Sequence, residues 1–514
     1  MYFFVNTVMR DKKTGIEHAQ IKRLKLFKKH HREAKIVVRD YDRTFHHYLK
    51  NVGLDDADMI SMFDFFQKAT DFKARPFQLK DLPVIHGQKI ITKRTKEGSM
   101  NVYVGKQLVS KIYTFDWDDQ QIDKVAYFDQ FGNNVSTDVY DSRGFKSMNE
   151  TFSNQHRVML ETMFDVNGQM VYKSHYMKNR LGNLANSALR LINYKGNPEI
   201  NFVGLKNFTR FFIDELNRSY GEKNVFVVDR NYGIDWPMQN MQTEAFKLLQ
   251  LHNVQSNTNN LETGRLNYNY EYGLDHQGEW NGVIALGETQ QHDVEKRFPK
   301  SKIYAIGGGI INDEVINGPK IPYEKRTMDK VVVIARLTKD KHVEKVVKAV
   351  AKAKTEIPDI TLDVYGVGPE HDNLEKLIKN LNVADRIKLK GYINNLNPIY
   401  DQAMVSVLSS DAEGLPLSLI EAQSHGIPLI ARDVIYGPND IITNERDGYL
   451  IAPDNKDIDN IANALVQTLA DKAHWQSLSD AAYEDRMRFS TDSMWRKWDA
   501  LNDDVLQYYE EGEK

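Results

Sequence analysis

Glu413 and Glu421 stand eight residues apart, downstream of an Arg336/Lys341 pair and of the turn Tyr365-Gly366-Val367-Gly368. A carboxylate offers two acceptor oxygens and suits paired hydroxyls, as in ribose or a hexose. Arginine makes forked hydrogen bonds to an oxyanion and lysine adds a compact charge, so the pair can neutralise a diphosphate. If Glu413 sits in a loop and Glu421 about a turn and a half into a helix starting near Pro416, both carboxylates line one elongated ligand. The start of that helix aims free backbone N–H groups at an anion. Residue types alone thus describe a sugar–diphosphate–nucleoside site. Each element by itself is ordinary: an arginine after a strand is usually a solvated end, and Tyr-Gly-x-Gly is commonly a tight turn. Their order, each at a strand end, carries the argument.

The elements that must position them read clearly from residue 330 onward. Apolar runs at 331–335, 360–365, 387–389, 405–408 and 428–431 alternate with helical patterns at 341–354, 370–381, 396–403 and 416–425. Such alternation builds a parallel sheet covered by helices, with ligands beyond the carboxyl ends of the strands. Lys341 is expected to start the helix that follows strand 331–335. Residues 320–329, with Pro322 and several charges, read as a linker. The polar helical stretch 457–510 carries Trp475, Trp495 and Trp498, expected to dock on a neighbouring domain.

The amino-terminal half reads as a second strand–helix domain, opening with strand 2–5, helix 16–29 and strand 34–38. Between about 85 and 180 the pattern changes to alternating polar and aromatic residues. Asp129-Gln-Phe-Gly132, Asp141-Ser-Arg-Gly144 and Asp165-Val-Asn-Gly168 share an Asp-x-x-Gly turn, so two or three successive β-hairpins are expected. Asp116-Trp117-Asp118 has the look of a metal-binding pair, but its place among these strands makes it a polar turn. The domain plan is 1–85 and 200–325 for the first domain, 86–199 for an antiparallel insertion, 326–488 for the nucleotide-sugar domain, and 489–514 for a helix returning to the first domain.

With 514 residues, 41% hydrophobic and 27% charged, the chain has a globular balance and room for roughly three domains. A net charge of −3 gives no argument for nucleic acid as a partner. The absence of cysteine excludes disulfides, thiolate metal sites and cysteine nucleophiles. The apolar start is too short for a signal peptide, and no run approaches the ~20 residues of a membrane span. A cytoplasmic protein is expected, with room for peripheral contact at the inner membrane face.

Ala335-Arg336-Leu-Thr-Lys-Asp-Lys341, Tyr365-Gly-Val-Gly368, Leu389-Lys-Gly391-Tyr and Glu413-Gly-Leu-Pro-Leu-Ser-Leu-Ile-Glu421-Ala resemble the retaining GT-B glycosyltransferases with an E-x7-E motif. Thr14-Gly15-Ile-Glu17-His-Ala-Gln20, the β-rich insertion, Asp229 with its glycine loop, and Tyr436-Gly437-Pro438 are similar to the bacterial GtfA/SdgB/TarM/TagE-like group. The resemblance covers nearly the whole chain and is most specific over 330–450. It implies an α/β GT-B fold of two Rossmann-like domains facing a cleft. It implies that Arg336 and Lys341 contact the donor diphosphate, that Glu421 holds the ribose, and that Glu413 lies near the donor sugar. Gly366, Gly414, Leu415, Pro416 and Leu417 would line the donor, and Gly15 would approach its diphosphate from the amino-terminal side. His252, otherwise a structural histidine, would stand near the reacting sugar.

The implied reaction moves GlcNAc or glucose from UDP-GlcNAc or UDP-glucose with retention. The implied acceptor is a serine hydroxyl of a bacterial surface protein, serine-rich or of the serine–aspartate repeat kind. Poly(glycerol/ribitol phosphate) wall teichoic acid is the alternative, and a non-catalytic partner subunit the third reading. Lys89, Lys93, Arg94 and Lys96 read first as a solvated charged face, with positive charge for an anionic acceptor as the alternative. No cofactor and no metal are expected, because the basic pair does a cation's work. The insertion also offers a surface for self-association or for a partner subunit.

Overall fold

The computed structural model describes residues 1–11, 13–82, 90–95, 98–180, 182–258 and 260–512; for 90–94 it describes the backbone alone. It divides into two compact units, residues 1–13 with 31–247 and residues 14–30 with 248–514. These boundaries differ from the domain plan above. Helix Gly15–Lys29 is grouped with the carboxyl-terminal half, and the division near residue 247 falls within strand Ala245–Gln250.

In the first unit, four parallel strands lie in the order Asn224–Val228, Tyr2–Asn6, Ala34–Val38, Met59–Ser61. Tyr2–Asn6 is buried along its whole length, as befits a parallel strand covered on both faces. A second sheet is antiparallel, and each strand pairs with the next in sequence from Ile90–Arg94 to Asn197–Phe202. Among the described residues it has ten strands, well beyond the two or three hairpins expected. The Asp-x-x-Gly turns form as expected. The Asp129 and Asp165 carboxylates each accept two backbone N–H groups, and Gly132 and Gly168 take positive φ. Ser153–His156 and Asn179–Gly182 make the same turn without the Asp-x-x-Gly signature. Helix Gly204–Ser219 buries Phe208 and Phe212, and Phe208 packs on Tyr172 and Phe202 of the antiparallel sheet.

The turn at Asp141 is also anchored. Arg143 is buried and pairs with Asp141 and Asp64, while His46 bridges Asp64 and Asp56 at 2.6 Å each. A Cβ at Gly144 would lie 1.8 Å from the Arg75 carbonyl, so only glycine permits this approach. Asp116 and Trp117 form a turn between strands Gln107–Phe115 and Asp118–Phe128, and the Trp117 indole stacks on His47 at 3.8 Å. Lys89 and Lys96 lie outside the described residues, as do the side chains of Lys93 and Arg94.

In the second unit, Ala245–Gln250, Gly282–Ala285 and Ile303–Ala305 pair in parallel. A six-stranded parallel sheet follows, ordered Ile387–Gly391, Thr361–Tyr365, Lys330–Ile334, Val405–Leu408, Leu429–Arg432, Gly448–Ile451. From Lys330–Ile334 the chain builds outward on one side and then returns to build on the other. The switch point is the crevice between Lys330–Ile334 and Val405–Leu408, where ligands of open α/β sheets bind.

Two expectations need correction here. Trp475 does not dock on a neighbouring domain: it is fully buried in this sheet's own core, and its indole N–H donates to the Met404 carbonyl at 2.8 Å. Residues 320–329 are not a free linker. Arg326 is buried and its guanidinium donates to the carbonyls of Tyr400, Ala403 and His425. Trp495 and Trp498, on the last helix Thr491–Glu511, pack edge-on against Phe27 of helix Gly15–Lys29, and Trp495 stacks on His30. Among the described residues no helix is long and apolar enough to cross a membrane.

Candidate functional site

The four residues singled out first all leave the two strands that flank the switch point. Arg336 follows strand Lys330–Ile334, is exposed, and makes no ion pair with the described residues. Lys341 ends a short 3-10 turn, Lys339–Lys341; the helix itself starts at Val343, two residues later than expected. His342 separates the two in a left-handed conformation, φ 47°. Asp340 reports the local field: burial pushes its carboxyl up, but the neighbouring Thr338 and the charges of Lys341 and Arg336 outweigh it and leave it below its ordinary value.

Glu413 lies in the loop after Val405–Leu408. Its Oε1 accepts from Lys341 Nζ at 2.7 Å, with both side chains about seven-eighths buried (13% exposed each). Gly414 follows, and a Cβ there would lie 2.3 Å from the His252 carbonyl. The loop therefore rests on the backbone of His252, whose N–H donates to the Tyr270 hydroxyl at 2.9 Å. Gly437, at φ 94°, backs the same loop: a Cβ would meet the Gly414 carbonyl at 2.5 Å. Helix Leu417–Ser424 starts behind Pro416, and Glu421 is its fifth residue. Pro416 lacks an N–H, so it shapes the helix start and donates no hydrogen bond to an anion. Gly414, Leu415 and Leu417 keep theirs.

Gly366 is explained by packing. It takes φ 142°, and a Cβ would lie 1.8 Å from the Ala335 carbonyl. The Ala335 and Leu337 N–H groups donate to the Tyr365 and Val367 carbonyls at 3.1 and 3.0 Å. The Tyr-Gly-x-Gly turn thus grips the backbone on both sides of Arg336. Gly15 is the first residue of its helix, exposed, and a Cβ there would meet nothing within 4 Å. Thr14 and Glu17 cap that helix reciprocally, leaving its start well formed and open.

The sequence reasoning missed three contributors. Lys22 Nζ donates to Glu421 Oε1 at 2.7 Å. It stands seven residues after Gly15 on one helix, hence on nearly the same face, a spacing visible in the sequence. Tyr400, fully buried, directs its hydroxyl to Glu421 Oε2 at 3.4 Å and the Ser418 carbonyl at 3.2 Å. Burial and the Glu421 charge push its phenol far up, so it stays a neutral donor. Gly307, Gly308 and Gly309 form the third. Added Cβ atoms would lie 2.7 Å from Leu415, 2.7 Å from Ala19 and 2.2 Å from Ile420, respectively. The glycine run therefore lets the Glu413–Glu421 segment and helix Gly15–Lys29 close on the same backbone. Among the described residues no cluster of three histidines or carboxylates suits a metal ion.

Residues 320–485 match the family model of group 1 glycosyl transferases, and residues 91–187 match the GtfB middle domain. The chain is 26% identical over 524 residues to the GtfA subunit of a UDP-N-acetylglucosamine–peptide N-acetylglucosaminyltransferase from Streptococcus pneumoniae, covering 96% of this chain and 97% of the relative. It is 24% identical to a poly(ribitol-phosphate) alpha-N-acetylglucosaminyltransferase of Staphylococcus aureus, over 95% and 96% of the two chains. The crystal structure of the pneumococcal O-GlcNAc transferase GtfA with UDP and GlcNAc superposes with a TM-score of 0.84 over 98% of this chain and 99% of that one, at 24% identity. That likeness shows the GT-B fold. Strand order, the matched model over residues 320–485 and relatives along nearly its whole length agree: the chain has the GT-B fold and is similar to the GtfA/TarM-like glycosyltransferases.

Proposed function

We propose that this chain is a retaining glycosyltransferase that moves GlcNAc or glucose from a UDP-sugar to serine hydroxyls of a bacterial cell-surface protein. The observation that carries the donor half is the Lys341–Glu413 ion pair at the switch point, with Arg336 exposed at the adjoining strand end. Arg336 and Lys341 compensate the diphosphate charge as UDP leaves, which is electrostatic stabilisation of the leaving group. In this reading they do the work of a divalent cation. Glu421, held from both sides by Lys22 and Tyr400, accepts the two ribose hydroxyls. Glu413 faces the transferred sugar, and the Gly414, Leu415 and Leu417 N–H groups meet phosphate or sugar oxygens. Gly15 lets the diphosphate approach the start of its helix, and His252 stands near the reacting sugar.

The acceptor oxygen forms its bond to the anomeric carbon on the face from which the phosphate oxygen departs. Its proton passes to that departing phosphate. A double displacement through an enzyme nucleophile reaches the same stereochemistry. The protein acceptor is favoured by the peptide N-acetylglucosaminyltransferase relatives and by Thr14–Gln20. The teichoic-acid relative supports a polyol-phosphate acceptor as the second reading. Because the pneumococcal relative is named as a subunit, we place this chain with a partner subunit as well, in the cytoplasm. The test is a matrix of UDP-glucose and UDP-GlcNAc against a serine-rich peptide and poly(glycerol phosphate), with and without a candidate partner. Sugar on the peptide supports the first reading, sugar on the polymer the second. No UDP release with any donor in any arm refutes both.

A further inference from the structure

Beside the Lys341–Glu413 pair, five segments are tied by a chain of charged contacts centred on His342. Its Nδ1 lies 2.7 Å from Glu344 Oε1 and its Nε2 lies 2.6 Å from Asp411 Oδ2. Asp411 Oδ1 accepts from Arg432 Nη1 at 2.5 Å, and Arg432 Nε lies 2.9 Å from Asp457. Asp457 in turn takes Lys345 Nζ at 2.6 Å, which returns the chain to the helix that holds Glu344. The Ser409 hydroxyl lies 2.9 Å from both the Lys341 and His342 carbonyls, and the Asp411 N–H donates to the Asp340 carbonyl. The turn that presents Lys341 and the loop that presents Glu413 are thus fastened to each other through residues 340–342 and 409–411.

The His342 φ of 47° lies in the left-handed region, which disfavours most residues with a Cβ and which histidine, asparagine and aspartate enter more readily than the rest. Glycine would sit there without strain. A neutral imidazole carries one N–H, so it can satisfy only one of two carboxylates. Pairing on both nitrogens, at 2.7 and 2.6 Å, is the arrangement that the two N–H groups of an imidazolium satisfy.

We infer that His342 is a positioning residue of the donor site, whose imidazolium ties the Lys339–Lys341 turn to the Asp411 loop and so keeps Lys341 Nζ on Glu413. The inference rests on the donor-site reading above and adds a control on it: donor affinity follows the protonation of His342. The charged groups around the ring are Glu344 and Lys345 on the following helix, Asp411 on the loop, Arg432 at the strand end, and Asp340 and Lys341 on its own turn. Burial pulls the imidazole down, but the hydrogen bonds to Glu344 and Asp411 outweigh it and raise it above 6.5. Asp411 stays ionised because Arg432 and His342 outweigh its burial. The clamp is therefore closed below the raised imidazole pKa and opens as pH rises through it.

The test compares UDP binding by calorimetry between pH 5.5 and 8.5 for the wild type, His342→Gly and His342→Asn, with Tm recorded at each pH. Glycine removes the ring and relieves the left-handed strain. Asparagine tolerates that conformation and cannot titrate. The terminal phosphate of UDP titrates in all three samples alike, so the difference between proteins carries the signal. Expected are wild-type affinity that weakens across the imidazole range, and variants about tenfold weaker at the acid end that converge with the wild type at the alkaline end. Variants that keep wild-type affinity and pH slope overturn the inference while leaving the donor site standing. A wild type that binds no UDP at any pH overturns the donor reading, and this inference with it.

Discussion

Lys22 Nζ and Glu421 Oε1 lie 2.7 Å apart across 399 residues of chain, joining the helix that begins at Gly15 to the helix that follows Glu413. The side chains are 20% and 26% exposed, so solvent screens the pair and its stabilising contribution is small. Its importance lies in orientation. With Tyr400 on the other oxygen, the carboxylate has little freedom to rotate away from a diol.

Lys22→Met should weaken UDP binding about fivefold while changing uridine-free sugar phosphate little, because the lost contact acts on the ribose side. A double-mutant cycle with Glu421→Gln isolates the coupling, expected at about 1 kcal/mol. Additive effects of the two substitutions would show that Lys22 acts elsewhere.

Two glycines of the site should separate stability from binding. Gly366→Ala forces a Cβ to 1.8 Å from the Ala335 carbonyl at φ 142°, and should cost about 3 kcal/mol of stability. Gly15→Ala meets open space at a helix start, and should leave Tm unchanged or slightly raised. Yet if the diphosphate approaches the Gly15 backbone, the same substitution should weaken UDP binding. Scanning calorimetry with and without UDP reads both effects; a Gly15→Ala protein with native UDP affinity removes Gly15 from the site.

Removing either member of the central pair should hit turnover more than stability. Lys341→Ala takes away charge at the leaving diphosphate and should lower kcat by about 10²- to 10³-fold. Glu413→Gln keeps the shape and the Lys341 hydrogen bond, so its loss in kcat should come with an almost unchanged Tm. Initial rates of UDP release, measured beside thermal scans, check both.

The parts of this site that were legible in the sequence are those set by one segment at a time. Arg336, Lys341, Glu413 and Glu421 each follow an apolar run, and strand ends in a parallel sheet put such residues at one edge. Tyr400 and the Gly307–Gly309 run act only once distant segments close on one another, so no local pattern announces them; Lys22 shares a helix face with Gly15, but its partner Glu421 lies 399 residues along the chain. The antiparallel sheet was underread for a similar reason. Only three of its turns use Asp-x-x-Gly, while Ser153 and Asn179 make the same hydrogen bonds from other residue types. Trp475 was misplaced because an aromatic residue on an amphipathic helix declares that it is buried and leaves open what buries it.

The buried cluster of the first unit should shape its stability against pH. Burial pulls the His46 imidazole down, but hydrogen bonds to Asp56 and Asp64 outweigh it and leave it raised above 6.5. A raised histidine contributes its stability fully below its unfolded value and loses it as pH climbs through the folded one. Asp56, lowered by its bond to His46, and Asp64, where His46 and Arg143 outweigh burial, run the other way. Their contribution is present above 3.8 and is lost as pH falls through their depressed values. Asp141, pushed up by burial against the bond to Arg143, offsets part of that acid loss. The first unit should therefore be most stable between about pH 4 and 6.5, with a decline toward pH 8.5 that belongs to His46. His46→Gln keeps hydrogen-bonding groups without the titration. It should lower Tm at pH 6 by on the order of 3 °C and flatten the alkaline limb. Thermal scans from pH 4 to 8.5 on both proteins decide it, and parallel alkaline limbs would assign the decline to other groups.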